Sequence, residues 1–198
     1  MKNNIETTNK VSPTKKIILE AAAELFREKG YAGSSVRELA QKVGLEASSL
    51  YNHIKSKEQI LVEICMGNAR QFTDGIDLID QTQDTTVNKL KAIIELHINI
   101  ATAGISSVSV FNDEWKHLSE PYHSEFLRLR KYYEQKVVAI ITQGIENSEL
   151  RTVDPLIATY SFLTSLRWIH YKLKQGKSAK ERLYDNLCAI LLNGLATS

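Results

Sequence analysis

Cysteine, proline and glycine are all scarce in this chain of 198 residues, which holds two, three and nine of them respectively. Cys65 and Cys188 stand far apart, each inside an apolar stretch. Two lone thiols cannot build a disulfide framework or a zinc site, which need more cysteines at closer spacing. Both are expected to be buried thiols in a reducing cytosol. Turn glycines and alternating polar–apolar runs are too few for a sandwich or barrel. No apolar run approaches the roughly 18 residues of a membrane span. The polar start, Met1 to Lys10, lacks the apolar core of a secretory signal, so a cytoplasmic protein is expected. An excess of one charge is missing as well: 25 Lys and Arg face 23 Asp and Glu, a net charge of +2. That balance, with 43% hydrophobic residues, excludes a chain disordered throughout and leaves ample material for a core. No P-loop, nucleophile elbow or dinucleotide fingerprint occurs, so neither an enzyme nor a bound cofactor is expected.

What is present reads as all-α. Ser12-Pro13 opens a first helix, whose apolar residues Ile17, Ile18, Ala21, Ala22, Leu25 and Phe26 recur at helical spacing up to a C-cap at Gly30. Ser35 and Glu38 are spaced as a capping box for a second helix ending at Lys42. Gly44 breaks the chain before a short third helix, about Ala47 to Ile54, and Ser56 caps a long fourth toward Leu78. Further helices are expected to about Gly104, then from 107 to 117, 121 to 147, 155 to 174, and 178 to 195, the last with a capping box at Ser178 and Glu181. About nine helices result, divided into a flexible tail over 1–11, a small front domain over 12–57 and a larger body over 58–198. Residues 1–60 hold ten basic against seven acidic side chains, a mild bias suited to phosphates.

The stretch from Ser35 to Ile54 has the physics of a helix-turn-helix. Ala40 is small where two helices cross, Gly44 supplies the positive φ of a tight turn, and Leu50 packs between them with Leu39, Val43 and Leu45. The second helix then presents Ala47, Ser48, Tyr51 and Asn52, with Ser49 at the side, to a major groove. The sequence Gly30-Tyr31-Ala32-Gly33-Ser34-Ser35-Val36-Arg37-Glu38-Leu39-Ala40, then Gly44-Leu45, then Leu50-Tyr51-Asn52-His53-Ile54-Lys55-Ser56-Lys57-Glu58, resembles the N-terminal domain of the TetR family of bacterial repressors. The resemblance implies a homodimer that binds a palindromic operator on double-stranded DNA and is released by a small molecule bound in the body. It also implies that Ser34, Ser35 and Arg37 meet a phosphate at the second helix. By the same resemblance Tyr51, His53 and Lys57 grip the backbone, while Ala47, Ser48 and Ser49 reach bases or flanking phosphates. Glu46 stands where that family usually has Ser or Thr; its charge repels phosphate, yet it could accept from a cytosine amino group.

The body carries many aromatics, most of them expected in the core. His97, Phe111, Trp115, Tyr132, Tyr133, Trp168 and Tyr171 are the candidates for a ligand cavity, since pockets in helical bundles are mostly apolar with a few polar groups. The runs Leu129–Glu134, Gly144–Asn147, Leu150–Pro155 and Ser165–Trp168 are loosely similar to regulators of fatty-acid and steroid breakdown, implying an acyl-CoA thioester as the ligand. In that similarity Asn147-Ser148 replaces a usual Gly, and Arg128, Arg130 and Lys131 form the nearest basic cluster for a CoA phosphate. Asp113, His117 and His123 are too scattered to predict a metal. Apolar faces on the last two helices, with Leu156, Leu163, Leu183, Leu187, Ile190 and Leu191, are implied by the family to pair with their twofold mates. The alternative is a DNA-binding protein with no small-molecule inducer and no cavity in its body.

Overall fold

The computed structural model describes residues 12–172 and 177–193, and every regular element among them is helical. Helix α1 (Pro13–Gly33) starts with Pro13 at its first position, and the Ser12 hydroxyl accepts from the Lys15 amide. Regular helix stops at Gly30, though not in the left-handed cap expected. Its φ of 74° is positive, but a ψ of 156° lies outside the left-handed well, so the helix kinks there and makes one more turn before Ser34. The capping box of α2 (Val36–Lys42) is formed in both directions: Ser35 Oγ accepts from the Glu38 amide, and the Glu38 carboxylate accepts from the Ser35 amide. Gly44 takes φ 69° in the turn to α3 (Ala47–Leu50), a conformation that any other L residue adopts only with strain.

Ser56 caps α4 (Lys57–Asp80), and α5 (Thr86–Ala103) ends at Gly104, where the chain turns by 108° into α6 (Ile105–Asp113). A 3-10 turn over Trp115–His117 leads to α7 (Tyr122–Glu146), whose N-cap is Pro121. Asp154 caps α8 (Pro155–Arg167) by accepting from the Leu156 and Ile157 amides. The single helix expected from 155 to 174 is interrupted at Trp168, so α8 is followed by a short α9 (Ile169–Lys172). Helix α10 spans Lys177–Asn193, and the cap expected at Ser178 lies outside what is described. The tail 1–11, the stop at Gly176 and the end near Leu195 lie outside the described residues.

Two apolar clusters hold the fold. One joins Ile18, Ala22 and Phe26 of α1, Leu39 and Ala40 of α2, Leu50 and Ile54, and Ile60 to Ala69 of α4. That cluster extends to Val110, Leu118 and Phe126 of the body, past the boundary expected at residue 57. The other gathers Phe72 and Ile76 of α4 with Leu90, Ile93 and Ile94 of α5, Val137 and Ile141 of α7, Phe162 of α8 and Leu187 of α10. Helix α4 thus belongs to both cores. Near the far end of α7, a β-carbon on Gly144 would fall 2.4 Å from Thr86 Cγ2, so this glycine permits close contact with the start of α5. Four residues on, Ser148 takes φ 60°, which explains why glycine is usual at this loop. Cys65 is buried and its thiol is pushed up to about 12; Cys188 is half-buried, and both thiols are free. No single helix among the described residues is long and apolar enough to cross a membrane.

Candidate functional site

The helix-turn-helix closes through backbone bonds as well as side chains. The Leu45 amide donates to the Ala40 carbonyl and the Gly44 amide to Gln41, which fixes the turn. Leu39, Ala40 and Leu50 are buried, so the far face of α3 points outward: Ser48, Tyr51 and Asn52 are exposed, while Ala47, Ser49 and His53 are half-buried. Regular α-helix covers only Ala47–Leu50, with turns carrying the chain on to His53, a shorter segment than expected. Glu46 sits at the N-cap of α3, and its side chain caps nothing.

The corner between α1 and α2 is built more tightly than its sequence suggests. Ser34 is buried and its hydroxyl donates to the Tyr31 carbonyl, so that hydrogen is used inside the protein. The Ser35 amide and hydroxyl both donate to Glu38, whose carboxylate also pairs with Lys29. The hydrogen bonds from Lys29 and Ser35 hold the Glu38 carboxyl down to about 2. Arg37 is exposed beside them. Lys57 donates from Nζ to the Ser34 carbonyl at 2.6 Å and lies 4.3 Å from the centre of the Tyr31 ring. Burial lowers its pKa, against the opposing pull of Glu38 and Glu114. An ammonium has three donors, so this bond leaves capacity for a phosphate.

The body touches that corner directly. Glu114, just past α6, accepts from the Tyr31 amide at 3.2 Å and pairs with His117, whose ring lies 5.5 Å from that of Tyr31.

Within the body a cavity of about 130 Å³ opens between α4, α5, α6, α7, α8 and α9. Of the residues expected there, His97, Phe111, Trp115 and Tyr133 line it. Tyr132, Trp168 and Tyr171 do not. Tyr132 follows a different face of α7, since neighbouring helical residues point about 100° apart, and its hydroxyl donates to Asp77. Trp168 stands exposed at the break after α8, and the exposed Tyr171 donates to Asp113. The sequence reading missed Phe72, Phe126, Asn112 and His170, which sit on four different elements. Only the first two carried a signal, as aromatics on apolar faces.

The cavity is apolar within and charged at its opening. Phe72, Phe111, Phe126 and Trp115 form a chain with ring centroids 5.4 to 5.6 Å apart, stacked in the first and last pairs and edge-on between Phe111 and Phe126. The His97 Nε2 meets the Tyr133 hydroxyl at 2.9 Å, and burial holds that imidazole neutral, with its pKa down to about 3. Arg130 and Arg167 are the exposed lining residues. Arg130 pairs with Glu134 at 3.1 Å, and Arg167 donates to the Asn112 carbonyl. Arg128 is paired with Glu125 and, like Lys131, does not line the cavity. The metal candidates are held apart: Asp113 faces Tyr171, His117 faces Glu114 and His123 faces Glu120. Among the described residues no group of three suitable donors comes together for a metal.

A second feature is an uncovered apolar face. Leu156, Ile157 and Tyr160 of α8 and Ile190 of α10 are about half exposed or more, beside a groove lined by Val153, Phe162 and Leu191. Of the expected interface residues, Leu187 instead is buried inside the subunit, and Leu163, Leu183 and Leu191 pack partly against the same core.

Residues 18–64 match the family described as bacterial regulatory proteins, tetR family, and residues 83–195 match the tetracyclin repressor-like C-terminal domain. The chain is 26% identical over 188 residues to the HTH-type transcriptional repressor KstR2 of Mycolicibacterium smegmatis, covering 91% of this chain and 90% of that protein. It is similar to the solved structure of AibR in complex with isovaleryl coenzyme A and operator DNA, at 27% identity and a TM-score of 0.76 over 89% of this chain and 97% of that one. The TetR family transcriptional regulator PfmR from Thermus thermophilus matches at 30% identity and a TM-score of 0.78, over 91% and 99% of the two chains.

Proposed function

The chain belongs to the tetR family of bacterial regulatory proteins, and from that premise we propose a cytoplasmic, homodimeric repressor that binds a twofold operator and leaves it when an acyl-CoA thioester fills the body. The observation that carries this reading is the pairing of an outward-facing α3 with an apolar cavity that α4 borders. Helix α4 starts with Lys57 at the DNA-facing corner and contributes Ala69 and Phe72 to the cavity wall. An acyl group suits the aromatic interior, and Arg130 and Arg167 suit the anionic nucleotide part outside. AibR, which was crystallised with such a thioester, lends the ligand class.

At the operator, Ser48, Tyr51 and Asn52 face the groove, Arg37 and Lys57 meet phosphates, and Glu46 biases the choice of base. Ser34 and Ser35 serve mainly to shape the corner, since their hydroxyl hydrogens are committed to Tyr31 and Glu38. Two copies pair through Leu156, Ile157, Tyr160 and Ile190, which sets the two recognition helices about 34–36 Å apart or a multiple of one DNA turn.

Selection of random duplexes by the full chain tests this reading. Enriched sequences should be inverted repeats, and isovaleryl-CoA or a longer acyl-CoA should weaken the complex. Sequences without twofold symmetry would defeat the dimer reading. Tight operator binding that no acyl-CoA alters would favour a DNA binder without this inducer.

A further inference from the structure

We propose that His170 of α9 recognises a carbonyl oxygen embedded in the apolar part of the cavity's occupant, and so sets which compounds act as effectors. This rests on the reading of the cavity as an acyl-CoA site and adds the group that would tell a thioester from a hydrocarbon of the same shape.

His170 is 5% exposed and is one of the residues lining the cavity, with Asn112 and Ile169. Among the described residues, its Nε2 is the buried side-chain nitrogen or oxygen without a hydrogen-bond partner. Buried polar atoms are nearly always paired, so such an orphan marks a place where something else supplies the bond. The other imidazole in the wall, His97, already has the Tyr133 hydroxyl. One of the two is satisfied within the protein and the other is not.

The chemistry of the missing group follows from the neighbour. Asn112 Nδ2 lies 3.3 Å from His170 Nδ1. With the Asn112 amide nitrogen donating to Nδ1, the neutral ring carries its proton on Nε2, the tautomer on which the proposal stands. Burial, which pushes the His170 pKa down, keeps the ring neutral. The orphan is therefore an N–H donor, and its complement is an acceptor. The wall also holds Val108, Phe111, Leu166 and Ile169, while Arg167 stands beside the pair, bonded to the Asn112 carbonyl. A compound with no acceptor at that depth leaves the donor unpaired. A thioester or ketone oxygen satisfies it. Sites that hydrogen-bond a ligand group discriminate against analogues lacking that group more strongly than apolar pockets discriminate by size.

The test compares isovaleryl-CoA with S-isopentyl-CoA, the thioether in which the carbonyl is a methylene, by calorimetry on the full-length protein. The thioester should bind about tenfold tighter or more, equivalent to about 1.4 kcal/mol. In His170→Phe the two should differ by less than about threefold, through weaker thioester binding. A preference that survives in His170→Phe, or no preference in the unmutated protein, overturns the inference. If neither CoA compound binds, the acyl-CoA reading fails by itself, and isobutyl phenyl ketone against isopentylbenzene decides the role of His170 in the same way. NMR of ¹⁵N-histidine-labelled protein is independent of any ligand or variant: it should find His170 neutral with its proton on Nε2. A proton on Nδ1 would sink the proposal whatever binds.

Discussion

Glu46 holds the N-cap position of α3 without a cap bond, leaving the recognition segment one stabilising contact short. Glu46→Thr supplies a hydroxyl acceptor for the orphan amides, worth about 1 kcal/mol and about 2–4 °C in Tm for a chain of this size. It also removes a charge that repels phosphate, so affinity for unrelated DNA should rise with stability. Thermal denaturation and binding to a non-operator duplex check both parts; an unchanged midpoint would mean that α3 is not limited by its cap. A second residue controls behaviour with pH. Burial depresses the His97 pKa from its usual 6.5 to about 3, so the unfolded chain takes up a proton near pH 6.5 that the folded one refuses until about 3. Stability is therefore lost as pH falls through that window, approaching about 1.4 kcal/mol per pH unit. Urea denaturation at pH 5 and 7.5 should show the loss, and His97→Gln should reduce it. Both Glu46 and the Ser35–Glu38 box were legible in the sequence because capping is decided within four residues. His170 and Asn112 were not, because their meaning arises from residues 58 positions apart in the chain.

At the scale of elements, Lys57 joins two segments: it starts α4, and at the end of α1 it bonds the Ser34 carbonyl and covers the Tyr31 ring. Lys57→Ala should thus weaken operator binding for all sequences alike, reduce the slope of log affinity against log salt by about one, and also lower Tm. Comparing slopes on operator and random DNA separates the phosphate contact from the loss of folding; a normal slope with a lowered Tm would assign Lys57 a purely internal role. The uncovered apolar faces of α8 and α10 give a different contrast. Ile157→Glu and Ile190→Glu alter residues exposed in the single subunit, so both should yield folded monomers by sedimentation. Leu187→Glu places a charge in the subunit's own core and should unfold it. Helical periodicity revealed that these helices have wide apolar faces. It could not divide each face between inside and partner, because a residue such as Leu187 reads the same in either place. The phase of α7 failed in the same way between Tyr132 and Tyr133, one turned to Asp77 and the other into the cavity.

For the whole molecule, the order of the helices was readable from caps, glycines and apolar spacing, while the contact between the first helices and the body was not. Helix α4 is one connection, running from Lys57 to Ala69 and Phe72 in the cavity wall. The structure adds a second one, from the cavity wall at Phe111, Asn112 and Trp115 through Glu114 to the Tyr31 amide. If effector and operator are coupled through both, each must weaken the other's binding by the same factor, about 5- to 150-fold. Glu114→Gln, which keeps an acceptor but removes the charge, should lessen that factor while leaving effector affinity in the absence of DNA intact. Titrations with and without operator measure it, and an unaltered factor would leave α4 as the sole carrier. The head's apolar cluster has a separate consequence for anyone recombining such regulators. Because it borrows Val110, Leu118 and Phe126 from the body and runs along α4 to Ala69, residues 12–57 are not a detachable module. A chimera cut at Lys57 would join two half-cores that were never matched. A graft that keeps its specificity for DNA must carry α4 as far as Ala69 and transplant those three body residues as well.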